Sequence, residues 1–210
     1  MKSLSSTLSK LILSILCVTV LVNCEQPEES TDDGGSETVT FSGAYYSSCV
    51  PEGAPVANGN YTNKMIHYQP DGDFEYVTYY YSDAACTSEV YAVIQDGTYA
   101  VGPATSVPSG GYEVAYAISD LYLAYYTDAA RTALMGGCGV GGTWSAAPSL
   151  KTLFAAWGCA NISVAAPNTI FYNVASAGST TAEIGIPDND NPGVVNVGNI
   201  NIGATLSFSK

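Results

Sequence analysis

Between Tyr112 and Tyr126 the chain alternates with a period of two over an unusual length. Tyr112, Val114, Tyr116, Ile118, Asp120, Tyr122, Ala124 and Tyr126 fall on one face, and Leu121, Leu123 and Tyr125 on the other. Successive side chains of a strand point to opposite faces, so this run predicts a long, half-buried β-strand rather than a helix. Asp120 interrupts the apolar face, which predicts a bend near Ser119-Asp120.

The same signal recurs along most of the chain. Tyr61 to Gln69 and Asp73 to Ser82 read as a hairpin around Pro70-Asp71-Gly72, a strong turn signal. Phe74, Tyr76, Thr78 and Tyr80 share one face of the returning strand. Glu89 to Val101 reads as a third strand, with Asp96-Gly97 marking a turn or bulge inside it. Thr40 to Ser48 precedes these, and Thr169 to Ser176, Thr181 to Ile186 and Ala204 to Ser209 follow, giving about eight strands. All 16 tyrosines lie between Tyr45 and Tyr172, a composition that suits strands. One short helix is expected over Ala129 to Met135, capped by Thr127, favoured by Asp128 at its positive end and stopped by Gly136-Gly137. Eight strands with short turns and one helix predict an all-β, antiparallel domain, either a single up-and-down barrel or a sandwich.

Ahead of the β-region stands a leader. Lys2 and Lys10 precede an apolar run from Leu11 to Val22, and Asn23-Cys24 closes it. Twelve apolar residues are too few to span a membrane, which takes about 20, but they match a secretory h-region. The pattern resembles a bacterial lipoprotein signal peptide, with Asn23 where Gly, Ala or Ser is usual. That resemblance implies a signal peptide over residues 1–23 and an acylated Cys24 as the new N-terminus. It also implies a place in the bacterial cell envelope, anchored by lipid to the outer membrane. Glu25 to Thr38 is polar and acidic with no apolar residue, so residues 24–38 read as a lipidated flexible tether. Residues 39–210 then form a single β-barrel domain.

Without Lys2 and Lys10, four of the six basic residues remain against 19 acidic ones, a balance of −15. Nucleic-acid binding through phosphates needs a basic face and is excluded. Beyond Cys17 and Cys24, four cysteines remain: Cys49, Cys86, Cys138 and Cys159. An even number in an exported chain favours disulfides. Three pairings are open, with sequence neighbours the simplest. No CxxC or CxH spacing accompanies them and His67 is the only histidine, so no metal site, cofactor or thiol chemistry is expected.

Catalytic constellations are weak. His67 sits mid-strand with no Gly-x-Ser-x-Gly in the chain. Asp83, Glu113 and Asp120 are the acids that could serve as paired carboxylates, but acids at strand ends usually form turns or face solvent, so no catalytic residue is assigned. Asp188 to Gly193 looks oxygen-rich like a calcium loop, yet Pro192 and Asn199 depart from that pattern and a plain Asx/Pro turn is expected.

Two segments carry a family likeness. Gly43-Ala44-Tyr45-Tyr46-Ser47-Ser48-Cys49 is one. Tyr80-Tyr81-Ser82-Asp83-Ala84-Ala85-Cys86, continuing through Tyr91-Ala92-Val93 to Gly97-Thr98-Tyr99, is the other. Together they resemble the extracellular domains of the adenomatosis polyposis coli down-regulated family and its bacterial relatives, as do Cys138-Gly139, Trp144 and Gly158-Cys159. Tyr45 stands where that family has Trp, and the spacing from Ser47 to Cys49 is one residue shorter. The resemblance implies a lipocalin-like barrel or half-barrel stapled at Cys49–Cys86, with an apolar interior able to accept an acyl chain. It carries over no catalytic residue. The expected function is non-enzymatic binding of a hydrophobic small molecule or lipid, with Phe74, Tyr76, Tyr80, Tyr116 and Ile118 lining the cavity. The alternative is a structural or adhesive surface protein with an aromatic contact face.

Overall fold

The computed structural model describes residues 39–104, 111–160, 162–185 and 206–209. The leader, Cys24, the acidic tether and the Asp188 to Gly193 segment lie outside the described residues. The elements in chain order are β1 (Gly43–Tyr46), β2 (Val50–Pro51), β3 (Tyr61–Tyr68), β4 (Asp73–Tyr81), β5 (Glu89–Ala104), β6 (Tyr112–Tyr125) and α1 (Asp128–Gly137). Then come β7 (Ser149–Leu153), β8 (Trp157–Cys159), β9 (Ile162–Val164), β10 (Ile170–Ala177), β11 (Thr181–Ile184) and β12 (Leu206–Ser209).

Eight of these strands make a nearly closed antiparallel barrel. The order around it is β1-β3-β4-β5-β6-β10-β11-β12, and β12 returns to β1 through the single pair Tyr46 and Ser209. Neighbours around the ring follow one another in the chain, apart from two excursions. The topology is therefore up-and-down, and its eight strands coincide with the eight read from alternation. The turn at Pro70-Asp71-Gly72 joins β3 to β4 as expected. Gly72 takes a left-handed φ of 94° and its amide donates to the Gln69 carbonyl at 3.1 Å.

The excursions divide the barrel into two halves. In the first half β3 pairs with β1 and β6 pairs with β10, so the ring closes. In the second half the first residues of β3 pair with the short β2, and the last residues of β6 pair with β7. No pairing joins β2 to β7 among the described residues, so this half is an open sheet. Its inner face packs against α1, Val140, Trp144 and the β8–β9 hairpin.

The bend expected near Ser119-Asp120 is a β-bulge. Asp96 pairs with Asp120 and Gly97 with Ile118, leaving Ser119 unmatched. The extra residue switches the parity of β6. Tyr112, Val114, Tyr116 and Ile118 face inward before it, and Leu121, Leu123 and Tyr125 face inward after it. The two faces of the sequence pattern thus become one inner surface. The bulge brings backbone against backbone at Gly97, where any Cβ would collide with the Ala117 carbonyl.

Helix α1 starts as expected, with the Thr127 hydroxyl accepting from the Ala130 amide at 3.0 Å. It does not stop at Gly136-Gly137 but runs through both and ends at Cys138. Glycine weakens a helix without forbidding it, and here the stop coincides with the disulfide to Cys159. The cysteines pair as sequence neighbours, Cys49 with Cys86 and Cys138 with Cys159, with Cα atoms 6.0 and 5.0 Å apart.

Candidate functional site

Four of the five residues expected to line a cavity meet inside the closed half. Phe74 and Tyr116 touch edge to face at 5.1 Å, and Tyr76 and Ile118 belong to the same cluster. Tyr68 and Tyr116, on opposite sides of the interior, share a hydroxyl–hydroxyl hydrogen bond of 2.7 Å. Phe41, from the segment before β1, packs against Tyr68 and Tyr99, which also meet each other edge to face at 5.0 Å, and the Tyr99 hydroxyl donates to the Phe41 carbonyl at 2.6 Å. Tyr45 donates to the Gly178 carbonyl at 2.7 Å and so ties β1 to the β10–β11 turn. These side chains fill the closed half with one another. Burial drives the Tyr68, Tyr76 and Tyr116 hydroxyls far above the usual tyrosine range.

The fifth residue lies elsewhere. β4 runs through both halves, so Tyr80 emerges in the open half, stacked on Tyr91 at 4.2 Å. The inner face there is built in rows by strand register. Thr62, Tyr80, Tyr91 and Tyr125 form one row. Lys64, Thr78, Val93 and Leu123 form the next, and Ile66, Tyr76, Gln95 and Leu121 the third. Tyr125 also meets Trp144 at 5.0 Å and donates to the Ser145 carbonyl at 3.2 Å.

This inner surface carries three buried polar atoms that have no hydrogen-bond partner among the described residues: Gln95 Nε2, Tyr91 Oη and Trp157 Nε1. Gln95 is only 2% exposed. All three atoms can donate, and Trp157 and Gln95 Nε2 can do nothing else. Lys64, also on the inner face, is held below the usual lysine range by burial, partly offset by the Glu52 carboxylate. Burial first, and then Glu52, pushes the Tyr91 hydroxyl up. An apolar, aromatic surface dotted with a few unpaired donors is suited to an amphipathic molecule.

Sequence reasoning missed Gln95, Tyr91 and Trp157. Gln95 was detectable in principle, as the polar member of the alternation Tyr91, Val93, Gln95. Trp157 was not, because β8 is three residues long.

The acids considered for catalysis do not converge. Asp83 lies in the β4–β5 turn, where its carboxylate accepts from the amides of Ala85, Thr87 and Ser88. Slight desolvation raises its pKa, and the bonds from Ser88 and Thr87 outweigh that, leaving it below the usual range. Glu113 pairs with Val174, toward the far end of β6 from Asp120. Register instead aligns His67, Glu75, Asp96 and Asp120 in a row across the outer face. Asp96 is pushed up to about 6 by desolvation and then by the charges of Glu75 and Asp120. Among the described residues, no group of three or more His, Cys, Asp or Glu side chains could hold a metal ion.

The adenomatosis polyposis coli down-regulated 1 family matches residues 54–143. That stretch contains β3 to β6 and α1, the strands that shape both halves, together with Cys86 and Cys138. The partner cysteines and β10 to β12 lie outside it. No curated protein matches the chain.

Proposed function

We propose that this chain is a non-enzymatic envelope lipoprotein. Acylated Cys24 attaches it to the outer membrane, and the β-domain binds a hydrophobic small molecule or lipid. The binding seat is the inner face of the open half, beneath α1 and the β8–β9 hairpin, where no strand pairing closes the ring among the described residues. One observation carries this reading: buried Gln95 Nε2 and Tyr91 Oη have no hydrogen-bond partner among the described residues. A buried donor left unpaired costs about 1–3 kcal/mol, so a ligand acceptor reaching either one would recover that amount. Tyr80, Tyr125, Trp144 and Leu123 supply the apolar surface for the rest of such a molecule. Two disulfides suit an oxidising compartment, and the family match is compatible with a binding module.

Native mass spectrometry of the full-length protein released from detergent micelles tests the seat. A discrete non-covalent adduct is expected, and Gln95→Leu should remove it. A bare protein mass, with Gln95→Leu raising stability and changing nothing else, would refute the seat. An intact mass showing an unacylated N-terminus other than Cys24 would refute the anchor alone.

The surface-contact alternative is favoured by a separate observation, the half-buried Tyr79 and Tyr126 and the exposed Tyr46 on the outer face of the sheet.

A further inference from the structure

The outer wall of a small barrel is ordinarily polar, and here it carries a second, shallow core. Met65, Val77, Ala92 and Ala124 are buried although they face outward from β3, β4, β5 and β6. Tyr79, Tyr126 and Ile94 pack against them. Register places Tyr79 opposite Ala92, and Ala92 opposite Ala124. The two small residues leave a trough, and Tyr79 from β4 and Tyr126 from the end of β6 both pack against it. Tyr81 sits beside Tyr79 with ring centroids 6.3 Å apart, and its hydroxyl donates to Asn63 Oδ1 at 3.3 Å. Tyr46, 45% exposed, borders the group opposite Met65.

Charge on this face has one sign. Burial pushes Tyr79 up to about 12, helped by Tyr126, Glu75, Tyr46 and Tyr81. Tyr126 is pushed up to about 12 by burial and then by Glu89 and Tyr81. Glu75 borders Tyr79, Glu89 borders Tyr126 and Tyr81, and Asp83 borders Tyr81, while His67, Asp96 and Asp120 stand in the Glu75 row farther along the same outer face. The other described cations point elsewhere. Lys64 is on the inner face, Arg131 pairs with Asp128 at 3.0 Å, and Lys151 donates to the Thr143 carbonyl beside Trp144. Electron-rich ring faces bordered by carboxylates are complementary to organic cations.

We infer that this outer tyrosine face docks a basic polypeptide segment, whose Arg or Lys side chains lie over Tyr46, Tyr79 and Tyr126 and reach the carboxylates of Glu75 and Glu89. Rings that are partly exposed leave their faces open to a planar guanidinium. The shallow, already filled trough suits side chains laid across it rather than a ligand inserted into it. This site is on the opposite side of the sheet from the proposed ligand seat and stands or falls independently of it.

The test titrates the full-length, detergent-solubilised protein with a short Arg-rich peptide and with the same peptide carrying citrulline, an uncharged isostere. Fluorescence anisotropy should show binding of the Arg peptide alone, weakened about tenfold or more between 50 and 500 mM salt. Each ring contributes about two- to thirtyfold. Tyr79→Phe should therefore retain affinity, while Tyr79→Leu and Tyr126→Leu lose it by roughly that factor. Exposed Tyr46→Leu gives the same readout without risk to folding. Equal binding of the citrulline peptide would overturn the proposal. So would Leu variants that bind as the parent does, which would reduce the effect to diffuse charge, or preferential binding of a neutral oligosaccharide.

Discussion

Two tyrosine hydroxyls placed 2.7 Å apart in the middle of a barrel show how polar tips are accommodated in an aromatic interior. Each ring contributes apolar area, and each hydroxyl has the other for a partner. Removing one partner strands the other, which costs about 1–3 kcal/mol, whereas removing both costs far less than twice that. Tyr68→Phe and Tyr116→Phe should each destabilise by about 1–2 kcal/mol. The double variant should be less destabilised than the sum, with a coupling of about 1 kcal/mol in a urea double-mutant cycle. Asp96 shows the opposite arrangement, with Oδ1 buried and without a hydrogen-bond partner among the described residues, and like charges on either side. Its folded pKa of about 6 lies above the usual value of about 4. The folded state therefore holds this proton longer than the unfolded state does. Stability contributed by the group is present below pH 4 and is lost as pH rises through about 6. A shift of about two pH units corresponds to roughly 3 kcal/mol, which partial exposure reduces to about 1. Asp96→Asn should raise the unfolding free energy measured in urea at pH 7 by about 1 kcal/mol and leave it unchanged at pH 3.

At the scale of elements, the bulge at Ser119 does most to shape the molecule. It turns one long alternating strand into a wall of both halves, and it depends on a residue without a side chain at Gly97. A methyl group there would meet the Ala117 carbonyl and press on the Phe74 ring at 3.0 Å. Gly97→Ala should cost about 2–3 kcal/mol, seen as a lowered midpoint in thermal unfolding. Asp96-Gly97 and Ser119-Asp120 were both legible as irregularities, because a glycine and a charge interrupt otherwise regular alternation. That they face each other across one bulge was not, since pairing is a property of two strands. The eight barrel strands were legible because each is long enough to show its period. β2, β7, β8 and β9 are two to five residues long and have no period to read. Their absence from the sequence reading hid the open half altogether. For the same reason Tyr80 was grouped with Phe74 and Tyr76. One face of one strand looks uniform until neighbours divide it between two cores. The cysteines were legible as disulfide-forming, but three pairings stayed open until the fold brought the sequence neighbours together.

Across the whole molecule the two halves are held by different means. The closed half is a ring, and pairing right round it leaves few free edges. Both disulfides sit in the open half. Cys49–Cys86 links the approach to β2 with the β4–β5 turn, and Cys138–Cys159 joins the end of α1 to β8. Chain entropy alone makes each worth roughly 3–4 kcal/mol, and they act where strand pairing is absent. What the halves share is buried tyrosine. Tyr68, Tyr76 and Tyr116 in one, and Tyr80 and Tyr91 in the other, are all driven by burial well above the ordinary value of 10. Below pH 10 each is neutral whether the chain is folded or unfolded, and the stability it contributes is fully present. Above pH 10 the unfolded chain releases these protons while the folded chain keeps them, so stability falls as pH rises toward the folded values. Every such tyrosine contributes a slope of about 1.4 kcal/mol per pH unit, and five acting together would exhaust a stability of 5–15 kcal/mol within roughly one to two units. The protein should therefore unfold abruptly near pH 11–12. Tyrosinate absorbance at 295 nm should rise in one steep step, together with loss of the β-sheet circular dichroism. A gradual rise beginning at pH 10 with the sheet intact would mean that the interior hydroxyls reach water, and the packed barrel described above would then be wrong.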